Sequence, residues 1–199
     1  MTKQPNLFWH PSAVTAKERE ALLKQRGCVL WFTGYSGSGK STLARALERK
    51  MIDAGHLAYV LDGDNVRHGL NAGLTFSDED RRENLRRVAE VAKLFADCGI
   101  VCAVSFISPT RESRRRAREI VGPDRFMEVY IDADLDTCET RDVKGLYARA
   151  RRGEIPDFTG VSSPYEPPEA PDLHLRTAAR DVAACADELL AFVQDRCLR

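Results

Sequence analysis

Gly34-Tyr35-Ser36-Gly37-Ser38-Gly39-Lys40-Ser41 follows a short apolar run, Cys28-Val29-Leu30-Trp31-Phe32-Thr33, and precedes a stretch with helical signals from Ser41 to Ala54, closed by Gly55. The octapeptide satisfies G-x-x-x-x-G-K-[ST] at each position, in the strand-then-helix context that gives this pattern its meaning. Gly34, Gly37 and Gly39 let the backbone curl so that successive N–H groups point inward, and the helix beginning near Ser41 adds the positive end of its dipole. Polyphosphate is then held by dipoles already in place. A chance Gly/Ser-rich turn is the bland alternative, and it does not explain why strand, loop and helix agree. Lys40 is positioned to reach β- and γ-phosphates and the Ser41 hydroxyl to hold Mg²⁺.

Working outward, three more β-rich runs resemble the first: Leu57-Ala58-Tyr59-Val60-Leu61, Ile100 to Phe106 and Phe126 to Ile131, with Leu173-His174-Leu175 as a shorter fifth candidate. Helical sequence separates them. Ser77-Asp78-Glu79-Asp80 is a capping pattern that opens a segment closed by Gly99, in which Leu85, Val88, Ala92 and Phe95 recur at helical spacing. Thr110 to Val121 ends at Gly122-Pro123, and a last helix is expected from about Ala178 to Cys197. This alternation predicts an α/β fold of three layers, a mostly parallel sheet with helices on both faces, of the P-loop NTPase kind. Residues 1–26 read as an N-terminal extension and 27–199 as one domain. The charged, Gly- and Pro-containing stretch at about 142–171 reads as a mobile lid.

With 199 residues the chain is the size of one ordinary domain. Its 30 basic and 30 acidic residues cancel, which argues against nucleic acid and against an anionic membrane as partners, so any anion is bound by a local cluster. No apolar run reaches bilayer-spanning length, and Met1-Thr2-Lys3-Gln4 lacks the apolar stretch of a secretory signal, so a soluble, cytoplasmic protein is expected. Cys28, Cys98, Cys102, Cys138, Cys185 and Cys197 show no paired spacing and read as buried reduced thiols.

The acceptor side is read from the ends of the other strands, where ligands of such folds gather. The second strand ends in Asp62-Gly63-Asp64-Asn65-Val66-Arg67. A carboxylate there either orients Mg²⁺ through water or accepts the proton of an attacking hydroxyl, while Asp-Gly is also an ordinary strand-ending turn. Arg81 and Asn84 share a helix face and, with Arg67, are the candidate anion or base contacts. Arg82, Arg86 and Arg87 are left as solvated surface, as are Arg114, Arg115, Arg116 and Arg118. The third strand ends in Phe106-Ile107-Ser108-Pro109. Ser108 reads as a substrate contact, a nucleophile or simply a helix start. The segment from Arg141 through Lys144 to Tyr147, leading into Phe158, carries cations and rings that suit a lid, with Arg141 and Lys144 as charge stabilisers.

GYSGSGKS, LDGDNVRHGLN, FSDEDRRENLRRVAEVAKLF, SFISP, RDVKGLYARAR and GEIPDFTG together resemble the adenylylsulfate kinases, P-loop kinases that make PAPS from adenosine 5′-phosphosulfate (APS), over about residues 8 to 177. The resemblance implies ATP contacts at Gly34, Tyr35, Ser36, Gly37, Ser38, Gly39, Lys40, Ser41 and Thr42, with Arg141 and Thr177 flanking the ATP adenine. It implies that the APS adenine lies between Phe76 and Phe158, that its phosphosulfate meets Arg67 and Arg81, and that Asn84, Ile107, Ser108, Lys144 and Leu146 complete the pocket. Asp62 or Asp64 would assist the 3′-hydroxyl and the metal, and Ser108 matches a serine described as a phosphorylated intermediate. A homodimer is implied as well, and an association with ATP sulfurylase is left open. Direct in-line transfer is the expected mechanism, because P-loop catalysis is mainly positioning and charge stabilisation. Two rivals remain at this point: a P-loop kinase of another small hydroxyl or nucleotide acceptor, and a nucleotide-dependent switch.

Overall fold

The computed structural model describes residues 6–198, so the first five residues of the N-terminal extension lie outside the described residues. Five strands, β1 (Cys28–Thr33), β2 (Ala58–Asp62), β3 (Val101–Ser105), β4 (Phe126–Asp132) and β5 (Leu173–Arg176), form one parallel sheet in the order β2-β3-β1-β4-β5. The helices are α1 (Ala16–Leu23), α2 (Lys40–Asp53), α3 (Gly63–Arg67), α4 (Asp78–Asp97), α5 (Arg111–Val121), α6 (Leu135–Arg141), α7 (Leu146–Arg151) and α8 (Val182–Cys197).

Every residue of β1 is buried, as a central strand covered on both faces requires. Cys28, Leu30 and Phe32 point into a core shared with Leu43 and Leu47 of α2 and Leu189 and Val193 of α8. Val29 and Trp31 point the other way, among Val88 and Ala92 of α4 and Ala117 of α5. The Trp31 ring stacks on Phe106 and Phe126, with centroids 6.4 and 5.6 Å away. The α/β expectation therefore holds. The chain leaves β1 towards β2 on one side of the sheet and later builds β4 and β5 on the other, so strand order reverses at the strand that feeds the glycine loop. A crevice opens at such a switch point.

Three local details differ from the sequence expectation. Asp62-Gly63-Asp64 is no simple turn: Asp62 Oδ1 accepts from the Asp64 N–H at 3.1 Å and caps α3. The 142–171 stretch contains α7, whose first free amides at Tyr147 and Ala148 are capped by the Asp142 carboxylate at 3.1 and 3.2 Å. Besides α3 and α7, two more helices were not foreseen, α1 and α6. Each is short and polar and buries a single residue, Glu20 and Cys138 respectively, so neither shows an apolar stripe.

Candidate active site

Gly39 caps α2 with φ of +105° and no side-chain hydrogen bond, whereas α3, α4, α5 and α8 are each capped by an Asp, Ser or Thr side chain. The free amides at the start of α2 are thus left for an anion. Gly34 has no room for a side chain, since a Cβ there would lie 2.3 Å from the Ile131 carbonyl oxygen. Three bonds hold the loop from outside. The Tyr147 hydroxyl donates to the Ser36 carbonyl at 2.9 Å, Arg141 Nη1 to that of Gly37 at 3.4 Å, and Thr177 Oγ1 to that of Ser38 at 2.9 Å. Arg141 Nη2 also donates to the Thr177 carbonyl at 2.8 Å, so the two residues expected beside the adenine are joined to each other and to the loop. Thr42 is exposed on α2.

Lys40 is buried, and its Nζ donates to the carbonyls of Gly34 at 2.9 Å and Tyr35 at 2.6 Å. Burial pulls its pKa down to about 8, the Lys144 charge adding to that and Asp62 and Asp64 opposing it. Facing the lysine, Ser41 Oγ lies 3.1 Å from Ser105 Oγ, and Ser105 is the β3 partner of Asp62 in the sheet register. Asp62 is buried; its Oδ2 has no hydrogen-bond partner, and Arg45 Nη2 stands 3.7 Å away. A buried orphan carboxylate oxygen beside a serine hydroxyl fits a hard cation that takes its other ligands from phosphate and water. Asp64, exposed two residues further on, forms an ion pair with Lys144, which lies between α6 and α7.

The acceptor wall is assembled from three segments. The Arg67 guanidinium lies 4.3 Å from the Phe76 ring centroid and that of Arg81 6.0 Å from it. Arg67 Nη1 donates to the carbonyls of Leu74 and Thr75, each at 3.1 Å. Arg81 Nε donates to the Phe76 carbonyl at 2.7 Å and its Nη2 to the Asp157 carbonyl at 2.8 Å, which ties α4 to the residue before Phe158. Asn84 is buried, its Oδ1 accepting from Asn71 Nδ2 at 2.8 Å. The two rings differ in setting. Phe76 is 65% exposed, but Phe158 is 8% exposed and meets Tyr147 edge-on at 5.0 Å, in a cluster against which Leu146 packs. Phe158 is therefore a largely buried ring, although the stretch that carries it is charged.

Ile107 is half-buried, and its carbonyl accepts from Thr33 Oγ1 at 2.7 Å. Ser108 is 2% exposed, has a left-handed φ of +41°, and its Oγ accepts from Trp31 Nε1 at 3.1 Å. A hydroxyl so placed is a hydrogen-bonded core group. Arg114 corrects the reading of its helix as all surface: it is 2% exposed, since α5 turns it towards β4, where Nε meets Glu128 at 2.6 Å. Arg118 is half-buried over Phe126 at 4.8 Å and paired with Asp172. Arg86 and Arg87 pair with Glu83 on their own helix. Sequence reasoning also passed over Tyr147 and Arg45. Tyr147 stood within the quoted lid motif, but nothing local marks its hydroxyl as a partner of the glycine loop 111 positions away.

A loop that offers polyphosphate its amides and a buried lysine, with a second cluster of guanidinium groups and a ring on segments beyond the ends of other strands, defines the protein as a P-loop kinase by fold and site. The family model described as adenylylsulphate kinase matches residues 26–176. A probable adenylyl-sulfate kinase of Halalkalibacterium halodurans is 53% identical over 96% of this chain and 95% of its own length. The adenylyl-sulfate kinase of Clostridium acetobutylicum is 52% identical over 96% of each chain. The Mycobacterium tuberculosis APS kinase CysC, solved in complex with AMPPNP and APS, superposes with a TM-score of 0.81 at 52% identity, covering 85% of this chain and 98% of that one. The chain belongs to the adenylylsulfate kinase family.

Proposed function

We propose that the protein transfers the γ-phosphate of ATP to the 3′-hydroxyl of APS, giving PAPS and ADP in sulfate assimilation. The carrying observation is Arg81, whose bonds to the carbonyls of Phe76 and Asp157 gather an exposed ring, two guanidinium groups and the Phe158 segment into one wall. A planar base with an anionic tail fits such a wall. Lys40 and the amides of the loop hold the triphosphate, and Lys144 and Arg141 neutralise charge on the transferred group. Ser41, and Asp62 through water, would hold Mg²⁺, which supplies neutralisation of the β- and γ-phosphate oxygens when bound with ATP. Asp64 accepts the proton of the 3′-hydroxyl as the new O–P bond forms and the bond to the ADP oxygen breaks in line. The test is incubation with Mg-ATP and a panel of hydroxyl acceptors. APS alone should yield a 3′-phosphorylated product, and equal nucleotide turnover without APS would overturn the reading.

Two predictions arise here. Ser108→Ala keeps kcat within about fivefold, because the transfer is direct, and lowers stability by about 1–3 kcal/mol, because the Trp31 N–H loses its buried acceptor. A loss of kcat by orders of magnitude would restore the phosphoserine step. Phe76→Ala raises KM for APS about tenfold, the scale of one base–aromatic stack, without moving Tm, since this ring is largely exposed. An unchanged KM would remove Phe76 from the pocket.

The proposal includes a homodimer, supported by the family resemblance, and a cytoplasmic location; association with ATP sulfurylase is left to experiment. Among the described residues no helix is long and apolar enough to cross a membrane.

A further inference from the structure

Arg114 is the buried cation that the chemistry above does not use. Its fork reaches three separate segments: Nε to Glu128 on β4 at 2.6 Å, Nη1 to the Ser108 carbonyl at 2.8 Å, and Nη2 to the Glu166 carbonyl at 2.6 Å. The first carbonyl belongs to the loop that carries Ile107. The second belongs to the strap leaving the Phe158 turn, in which the amides of Val161, Ser162 and Ser163 all donate to the Phe158 carbonyl. Around this guanidinium the two segments are laced together. The Glu166 amide donates to the Pro109 carbonyl at 2.8 Å, the Glu166 carboxylate accepts from the Arg111 amide at 2.7 Å, and the Tyr165 hydroxyl lies 2.9 Å from Thr33 Oγ1. Ser108, meanwhile, keeps a left-handed backbone ahead of a proline, a conformation that persists only where its surroundings over-determine it.

We infer that Arg114 is a positioning residue for the acceptor. One buried guanidinium fixes the loop bearing Ile107 and the strap that returns from Phe158 at a set separation, so two walls of the APS pocket are placed by a side chain that touches neither substrate. Lysine cannot substitute, because a point ammonium lacks the fork that spans both carbonyls and the carboxylate. The glycine loop and Lys40 are held by other partners, so the effect falls on the acceptor and not on ATP.

The inference rests on the APS reading of the site, and its test separates the two. Arg114→Met alone leaves the half-buried Glu128 carboxylate without its partner and the Ser108 and Glu166 carbonyls without their donor, and should lower Tm by roughly 10 °C. The double variant Arg114→Met/Glu128→Met removes both charges and should regain most of that Tm, yet keep KM for APS raised about tenfold or more, with KM for ATP within about twofold of wild type. Amide exchange at Glu166 should be faster in the double variant, a readout that needs no activity. Recovery of KM for APS together with Tm, with Glu166 exchange unchanged, would reduce Arg114 to a structural ion pair. If the double variant stays unstable, Arg114→Lys carries the test: it keeps the pairing charge, and a wild-type KM for APS in it would overturn the inference. Absence of APS-dependent transfer in the wild-type protein would sink the substrate reading instead, and Glu166 exchange would still decide the role of Arg114.

Discussion

Replacing Lys40 by methionine is expected to lower kcat by about a thousandfold while the fold survives. The ammonium is the one cation built into the glycine loop, and loss of a single preorganised charge-stabilising group from a water-poor site costs about 10²–10³ in rate. The same variant carries a pH signature. Burial lowers the Lys40 pKa from 10.5 to about 8, so between those values the unfolded chain binds more protons than the folded one. Stability attributable to this group therefore rises with pH through the window from about 8 to 10.5, and below about 8 the full cost of burying the charge is present. That gap is worth about 3 kcal/mol. Urea unfolding of wild type and Lys40→Met at a series of pH values should show their stability difference moving in favour of wild type by about that amount between pH 7.5 and 10.5. Other titrating groups cancel in the difference. A pH-independent difference would mean that the lysine is solvated, and kcat within tenfold of wild type would remove it from the phosphate site. Saturating Mg-ATP should abolish the pH effect, because the phosphates keep the ammonium charged.

The second large effect is expected at Asp62. Asp62→Asn keeps the cap on α3, since the amide oxygen still accepts from the Asp64 N–H, and removes only the charge on the oxygen that has no partner. The expected outcome is a fall in kcat of about 10²–10³ with a higher Mg²⁺ midpoint, and stability within about 1 kcal/mol of wild type. Asp62→Ala loses the cap too and should cost about a further 1 kcal/mol in unfolding. If Asp62→Asn retained kcat within fivefold and the same Mg²⁺ midpoint, the orphan oxygen would have to be explained without a cation, and the Arg45 guanidinium at 3.7 Å would be its natural partner.

Much of this site is written in local sequence. The glycine loop is legible because a backbone that turns its amides inward needs left-handed φ values, which Gly34, Gly37 and Gly39 supply and other residues resist. The strands are legible because a sheet covered on both faces needs continuous apolar runs, and β1, β3 and β4 have them. Arg67, Arg81 and Asn84 could be singled out because they stand just beyond a strand end or on one face near a helix start, whereas Phe76 came only from the family resemblance.

What sequence could not supply is contrast between like residues. Arg114, Arg115, Arg116 and Arg118 crowd one turn and a half of α5; Arg114 shares the stripe of Ala117 and Val121, but helical spacing alone does not say whether a long cation there is buried or reaches out to solvent. Their roles are set by Glu128, Glu166 and Asp172, residues 14, 52 and 54 positions from their partners, and only the packing of α5 on β4 brings these together. Phe76 and Phe158 look alike in sequence for the same reason. One ring is left in water beneath two guanidinium groups, while the other is drawn into a small core by Tyr147. The chain by itself thus determined the fold and the phosphate loop, because these depend on local backbone geometry and on hydrophobic period, and its motifs carried the resemblance to the family. Tertiary structure alone decided which arginine is buried, which ring is exposed and that Ser108 is a core hydroxyl, because burial is a property of contacts between segments far apart in the chain.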